Sequence, residues 1–488
     1  MNVAQLLERS ALYHRDRAAL HAGDRRWTYG ELHDAVSTLA GGLASLGLEP
    51  GERIGLHLPN GPEFVLAYYA AQKVGLVPLS LNVAYKAEEI RYIIGDAAAS
   101  ALVTAGPVVA NLPSRDAMPS VRHVLDARDL AALSGKPVAR ALDLNRDETA
   151  AILYTSATTG RPKGVMLTHG NIVSNAYATA HHLRMTAEDR GLCALPMFHC
   201  FGQNFILNAL VTAGGLLVLQ ERFVPDQFLD AVARHRITLL YAVPTMYILF
   251  LSMEGRGDFS SIRLCFSAAA TLPADVERRW HERHGHWIHQ GYGLTECAPF
   301  ASYNHDVRFR SGSIGTPIEN VEMKIADEGG RELPDGELGE IRIKGPNVMK
   351  GYFGNPQATA EAIGDGWLRS GDIGYRDPDG YYYLVDRVKD MINVSGFKVF
   401  PREVEEVLFR HEAVREAAVI GVPDPIRGEA VKAFVVLKQG GRVAADALQC
   451  LCRAALASYK VPETIEFIDA LPKNPTGKIL KKELRARG

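Results

Sequence analysis

The chain has 488 residues, 47% hydrophobic and 23% charged, with 54 basic against 56 acidic side chains and a formal charge of −2. That length is about three ordinary domains. The composition excludes a single small module, a disordered or collagen-like chain, and a protein drawn to nucleic acid or anionic lipid by bulk charge. The first nine residues carry charges where a signal peptide needs an apolar core, and the six cysteines include no Cys-x-x-Cys pair, so a reduced, cytoplasmic protein is expected. From residue 53 to 292, apolar runs at 53–58, 76–81, 216–220, 238–243, 264–267 and 287–291 read as buried strands. Segments 225–236 and 273–284 read as helices, each opened by proline. The most apolar stretch, 205–219, is too short and too interrupted to span a bilayer, and reads as a buried helix followed by a strand. After Gly312 short strands alternate with Gly and Asp turns, at 321–326, 340–344 and 381–385. From Asp390 a charged helix (402–410) and strands (417–422, 433–437) alternate again. The expected fold is α/β: a large N-terminal domain of βα-layered sheets plus a β-rich subdomain, then a small α+β C-terminal domain.

Chemistry concentrates in a few loops. An apolar run enters Thr155-Ser156-Ala157-Thr158-Thr159-Gly160-Arg161-Pro162-Lys163-Gly164. Its hydroxyls, backbone donors and single lysine suit a polyphosphate. It is not a Walker A loop, because Gly164 stands where Ser or Thr must follow the lysine. The cluster 290–296, Gln-Gly-Tyr-Gly-Leu-Thr-Glu, offers a ring face at Tyr292 and hard oxygen ligands at Thr295 and Glu296. Ser370-Gly371-Asp372 places a carboxylate where it could accept both hydroxyls of a ribose. Taken alone, either cluster is ordinary turn chemistry. Asp386-Arg387-Val388-Lys389-Asp390 and Pro475-Thr476-Gly477-Lys478 complete the set, the last putting a lysine on a Pro/Thr/Gly loop.

These motifs, in this order over more than three hundred residues, resemble the adenylate-forming superfamily, which includes acyl- and aryl-CoA synthetases, luciferase and the adenylation domains of peptide synthetases. The resemblance is to bacterial fatty acyl-CoA synthetases in particular. It implies two half-reactions: carboxylate and MgATP give acyl-AMP, then a thiol displaces AMP. Thr155, Ser156, Thr158, Thr159, Gly160 and Lys163 would cradle the β- and γ-phosphates. Thr295 would meet the α-phosphate, Glu296 would hold Mg2+, Tyr292 would stack on adenine, and Asp372 and Arg387 would bind ribose. Lys478 would be the catalytic lysine. Residues 1–388 would be the adenylation domain and 389–488 a mobile lobe, hinged at Lys389, that brings Gly396 and the neighbouring Lys398 to CoA. Two positions depart from the pattern: Ala157 stands where most relatives have Gly, and Asn393 where some have Lys.

The segment 195–203 resembles the family's gate and acyl-pocket motif, with His199 near the carboxylate or triphosphate. Phe198, Phe201, Tyr241, Val243, Ser267, Ala268, Ala269 and Gly291 are the expected pocket walls. None is charged, which disfavours amino acids and dicarboxylates. A medium- or long-chain fatty acid is expected, aryl acids second, with ATP, Mg2+ and CoA as the other reactants. The alternatives are an acyl-AMP ligase loading an acyl carrier protein, and a non-catalytic nucleotide sensor, against which the retained Lys478 and Glu296 count. His281, His284, His286 and His289 lack an acidic or Cys partner and read as packing rather than as a zinc site. Cys200 reads as a plain buried thiol.

Overall fold

Parallel strands covered on both faces need near-continuous apolar runs. The runs at Val77–Ser80, Arg53–His57 and Ala101–Thr104 form the middle of one sheet in the computed structural model, which describes residues 1–133, 135–155, 161–253, 255–474 and 477–487. That seven-stranded sheet runs Gly351–Tyr352, Lys163–Thr168, Thr149–Thr155, Val77–Ser80, Arg53–His57, Ala101–Thr104, His123–Asp126. The last five strands are parallel. Lys163–Thr168 returns antiparallel to Thr149–Thr155, so Thr155 faces Lys163 across the base of the loop between them.

A nine-stranded sheet is parallel from Ile288–Gly293 through Leu264–Ser267, Leu239–Ala242, Arg190–Cys193 and Leu216–Leu219 to Ala18–Ala22. Antiparallel strands, among them Phe300–Tyr303 and Arg25–Thr28, close its edges. The stretch expected as a helix from residue 205 begins earlier, as π-helix over Phe201–Asn208, continues as α-helix over Ala209–Ala213, and then gives the strand at Leu216–Leu219. Helix Pro225–His235 has its proline in the first turn, where the missing N–H costs nothing. Helix His169–His182 starts on a reciprocal cap: Thr168 Oγ1 accepts from the Asn171 amide (3.1 Å) and Asn171 Oδ1 from the Thr168 amide (2.8 Å). Among the described residues no helix is long and apolar enough to cross a membrane.

The β-rich part is a five-stranded antiparallel sheet containing Glu322–Ala326, Gly339–Lys344, Trp367–Arg376 and Tyr382–Arg387. Beyond it a further five-stranded sheet, centred on Val414–Asp424 and Gly428–Leu437, carries helices Pro401–Phe409 and Ala445–Ala455. Its two apolar clusters, one with Val404, Val419, Val435 and Leu448, the other with Ile420, Phe434 and Leu484, have no buried member before Ile392.

Candidate active site

Tyr292 lies on strand Ile288–Gly293, and Asp372 and Arg387 face each other across the antiparallel pair of Trp367–Arg376 with Tyr382–Arg387. Tyr292 Oη donates to Asp372 Oδ2 (2.7 Å), and Arg387 Nε lies 3.0 Å from Asp372 Oδ1. Asp372 is 3% exposed, so its charge is matched locally by the guanidinium and the phenol. Burial lowers the affinity of Arg387 for its proton, but the Asp372 carboxylate together with Tyr292, Asp390 and Glu296 outweighs it and keeps the guanidinium charged. Ser370-Gly371-Asp372 lies within strand Trp367–Arg376 and not in a tight turn: Gly371, at φ +70°, sits at the register shift against Gly339–Lys344 that precedes Asp372.

Lys478 enters the same 240 Å3 cavity from the small lobe, beside Tyr292, Asp372 and Arg387. Its amide donates to Asn474 Oδ1 (2.9 Å). Burial, then the neighbouring Arg387 charge, push its amine down to about 8, against the pull of Asp372. Burial, with the Lys478 charge behind it, also brings His199 down to about 4, so its ring is neutral at pH 7. The Phe201 amide donates to His199 Nδ1 (3.2 Å), which leaves the proton on Nε2 as a donor.

Thr295 and Glu296 occupy a single turn, Thr295–Cys297, one residue beyond Gly293. A side chain at Gly293 would meet the Pro299 carbonyl at 1.6 Å, so only glycine lets this turn fold back. Glu296 Oε1 accepts from Tyr352 Oη (2.9 Å), and Lys163 Nζ lies 4.9 Å from the centre of the Tyr352 ring. Sequence reasoning did not single out Tyr352; the strand pairing that carries it there joins residues far apart in the chain. Ser156, Ala157, Thr158, Thr159 and Gly160, and Pro475 and Thr476 of the lysine loop, lie outside the described residues.

A second cavity, of 610 Å3, adjoins the first. The two share Thr245, Ile248, Glu416 and Gly477. Phe198 and Val243 line it together with Leu195, Phe223, Met246 and Leu249; its charged groups are Glu221 and Arg222 of one loop and Arg415, Glu416 and Lys473 of the small lobe. Phe201 and Tyr241 instead join a buried ring cluster with Phe205, Phe266 and Phe300, in which Phe205 and Phe266 centroids are 4.5 Å apart. Ala269, at φ +70°, and Gly291 line the Lys478 cavity, as does Ser267, whereas Ala268 packs on the core. Gly396 and Lys398 are exposed on the small lobe's hairpin, and Lys389 is exposed at the short turn Val388–Asp390. His281 stacks on Trp287 (3.7 Å), His284 lies on Trp280 (4.3 Å), and His289 Nδ1 meets the Asn304 carbonyl (2.9 Å); these rings serve packing. Cys200 is buried, with Sγ 3.3 Å from Asn204 Nδ2.

The sequence profile of the AMP-binding enzymes matches residues 7–353, and that of the AMP-binding enzyme C-terminal domain matches 403–478. Feruloyl-CoA synthase of Amycolatopsis sp is 38% identical over 96% of this chain and 95% of its own length. A long-chain-fatty-acid CoA ligase of Bacillus subtilis is 34% identical over 98% and 93%. The crystal structure of an anthranilate CoA ligase in complex with anthranoyl-AMP superposes with a TM-score of 0.94 at 30% identity, over 100% of this chain and 97% of that one. The chain belongs to the adenylate-forming family of AMP-binding enzymes, as an acyl- or aryl-CoA ligase.

Proposed function

We propose that the protein activates an uncharged, apolar monocarboxylic acid, foremost a medium- or long-chain fatty acid, as its acyl adenylate and passes the acyl group to the thiol of CoA. The observation that carries this reading is the presence of Lys478 in the cavity that holds Tyr292, Asp372 and Arg387, beside an adjoining cavity whose large-domain wall is mostly apolar. In the first step a carboxylate oxygen attacks the α-phosphorus of ATP and pyrophosphate leaves. Two anions must meet, so cations have to lie where charge builds up. Lys478 and Arg387 supply them at the adenosine end and Lys163 at the phosphate end, while neutral His199 donates from Nε2 toward the carboxylate. Tyr292 offers its ring to adenine, Asp372 accepts from the ribose, and Thr295 sits at the α-phosphate.

Mg2+ fits the donor set. Among the described residues no three His, Cys, Asp or Glu side chains gather to hold a metal, and Glu296 contributes one hard carboxylate, hydrogen-bonded to the tyrosine whose ring carries Lys163. One carboxylate with phosphate oxygens and water is the shell Mg2+ prefers. When bound with ATP it neutralises phosphate charge.

A pyrophosphate-release screen over straight-chain acids from C2 to C18, with benzoic and cinnamic acids, amino acids and dicarboxylates beside them and CoA or a phosphopantetheinyl carrier protein as acceptor, tests the reading. C8 to C16 acids with CoA are expected to turn over fastest. Faster turnover of an amino acid or a dicarboxylate would sink the apolar pocket. An aryl acid is the second reading, favoured by the likeness to the feruloyl and anthranilate enzymes. Faster turnover of cinnamates would select it, and acylation of the carrier protein in preference to CoA would select the carrier-loading alternative.

A further inference from the structure

The edge strand Gly351–Tyr352 is fixed from every side. Tyr352 pairs with Val165 in the antiparallel register, and the Phe353 amide donates to the Gly164 carbonyl (2.7 Å). The Met349 amide donates to the Glu296 carbonyl (2.8 Å), and Thr359 Oγ1 accepts from the Tyr352 amide (2.9 Å). Behind it, Asn171 Nδ2 donates to the Pro346 and Val348 carbonyls, each at 2.8 Å. A side chain on such an edge has a set direction, and that of Tyr352 reaches two charged groups at once: its hydroxyl donates to Glu296 Oε1 at 2.9 Å, and its ring carries the Lys163 ammonium at 4.9 Å.

We propose that Tyr352 is a positioning residue of the metal-nucleotide site: its hydroxyl occupies one oxygen of Glu296 and turns the other toward Mg2+, and its ring parks Lys163 until phosphate draws the lysine away. This rests on the reading of Glu296 as the Mg2+ ligand and of Lys163 as a phosphate group's partner. A metal-binding carboxylate is commonly held by an outer hydrogen bond, and losing such a partner weakens metal binding about 10- to 100-fold. The phenol suits the task because it donates without adding charge, so it orients the carboxylate without competing with the cation.

Calorimetric titration of ATP into the full-length protein at graded free Mg2+, with no acid present and hence no turnover, tests this. In Tyr352→Phe, which keeps the ring and removes the hydroxyl, the Mg2+ concentration at half-maximal gain in ATP affinity is expected to rise at least tenfold, and excess Mg2+ to restore the affinity. Glu296→Gln separates the two layers of the argument. If Glu296→Gln leaves the Mg2+ dependence alone, Glu296 is not the ligand and the role of Tyr352 goes with it. If Glu296→Gln shifts the midpoint and Tyr352→Phe does not, the ligand stands and the positioning role is overturned. Equal weakening of ATP binding by Tyr352→Phe at every Mg2+ concentration, with a lowered thermal midpoint, would make the tyrosine a structural residue and also overturn the proposal.

Discussion

At the scale of single residues, the proposed chemistry turns on a lysine whose amine is brought down toward neutrality. Lys478 is brought down to about 8 by burial and by Arg387. Below that pH the ammonium is present and, in the proposed reaction, would stabilise charge building at the α-phosphate; above it the amine is neutral and that contribution would disappear. The kcat/KM for acid-dependent pyrophosphate release should therefore fall as pH rises through about 8, and Lys478→Arg, charged throughout, should flatten that limb even though its fork fits the site less well. A limb at the same pH in the arginine variant would assign it to another group. Lys478→Ala is expected to lose at least 100-fold in adenylation while still passing acyl from supplied acyl-AMP to CoA, an order of magnitude set by removing one charge-stabilising donor. Lys478, Asp372, Arg387, Tyr292 and Glu296 could be singled out from sequence because each sits in a short motif of chemically telling residue types, and the fold brings the first four to one cavity. Tyr352 could not, since its hydrogen bond to Glu296 crosses 56 positions and depends on a strand pair that no local pattern announces.

At the scale of elements, parallel strands and proline-opened helices were legible because burial on two faces leaves apolar runs and a first-turn proline leaves a sharp start. The antiparallel closures at Lys163–Thr168 and Phe300–Tyr303 were not, because their pairing is decided by tertiary context. The same holds for which pocket-motif side chains face a cavity. Phe201 and Phe198 are three residues apart, yet one joins the ring cluster and the other lines a cavity, since Phe198 lies in the turn before the π-helix that carries Phe201. The seam between Leu264–Ser267 and Ile288–Gly293 depends on Gly291: a β-carbon there would meet Phe266 Cζ at 2.2 Å. Gly291→Ala should destabilise the protein by about 1–3 kcal/mol through overpacking, and Phe266→Leu in the same chain should recover part of that loss. Gly293→Ala, whose β-carbon would strike backbone at Pro299, should gain nothing from Phe266→Leu. Denaturant midpoints of the single and double variants measure the coupling, and strict additivity at Gly291 would show that Phe266 is not the obstacle.

At the scale of the whole molecule, the small lobe has its own apolar clusters but lends Lys478 to a cavity built by the large one. The hydrogen bonds that tie it there run from Arg402, whose amide donates to Asp386 Oδ2 (2.9 Å) and whose Nη1 donates to the Leu384 carbonyl, while within the lobe Arg485 pairs with Asp390 (2.8 Å) and Lys481 with Glu405 (2.8 Å). Polar contacts of this kind can be exchanged for others at small cost, whereas a shared apolar core could not. We therefore take residues 389–488 as a lobe that turns about Lys389 between half-reactions, withdrawing Lys478 and bringing the hairpin of Gly396 and Lys398 toward the thiol. That hairpin is stiff: Ser395 and Gly396 have φ of +52° and +87°, the two left-handed residues of a tight turn, and the Gly396 amide donates to Asn393 Oδ1 (2.8 Å). Asn393 thus shapes the turn. The test of the motion is a substitution that spares both sites and stiffens the turn between them. Lys389→Pro fixes one backbone angle near −65° in the arrangement that places Lys478 for adenylation. It should leave acid-dependent pyrophosphate release within a few-fold of normal and slow thioester formation from supplied acyl-AMP by at least an order of magnitude. That pattern is the mirror image of the one expected from Lys478→Ala. If proline at 389 slowed both half-reactions alike, or neither, the lobe would not turn at that residue.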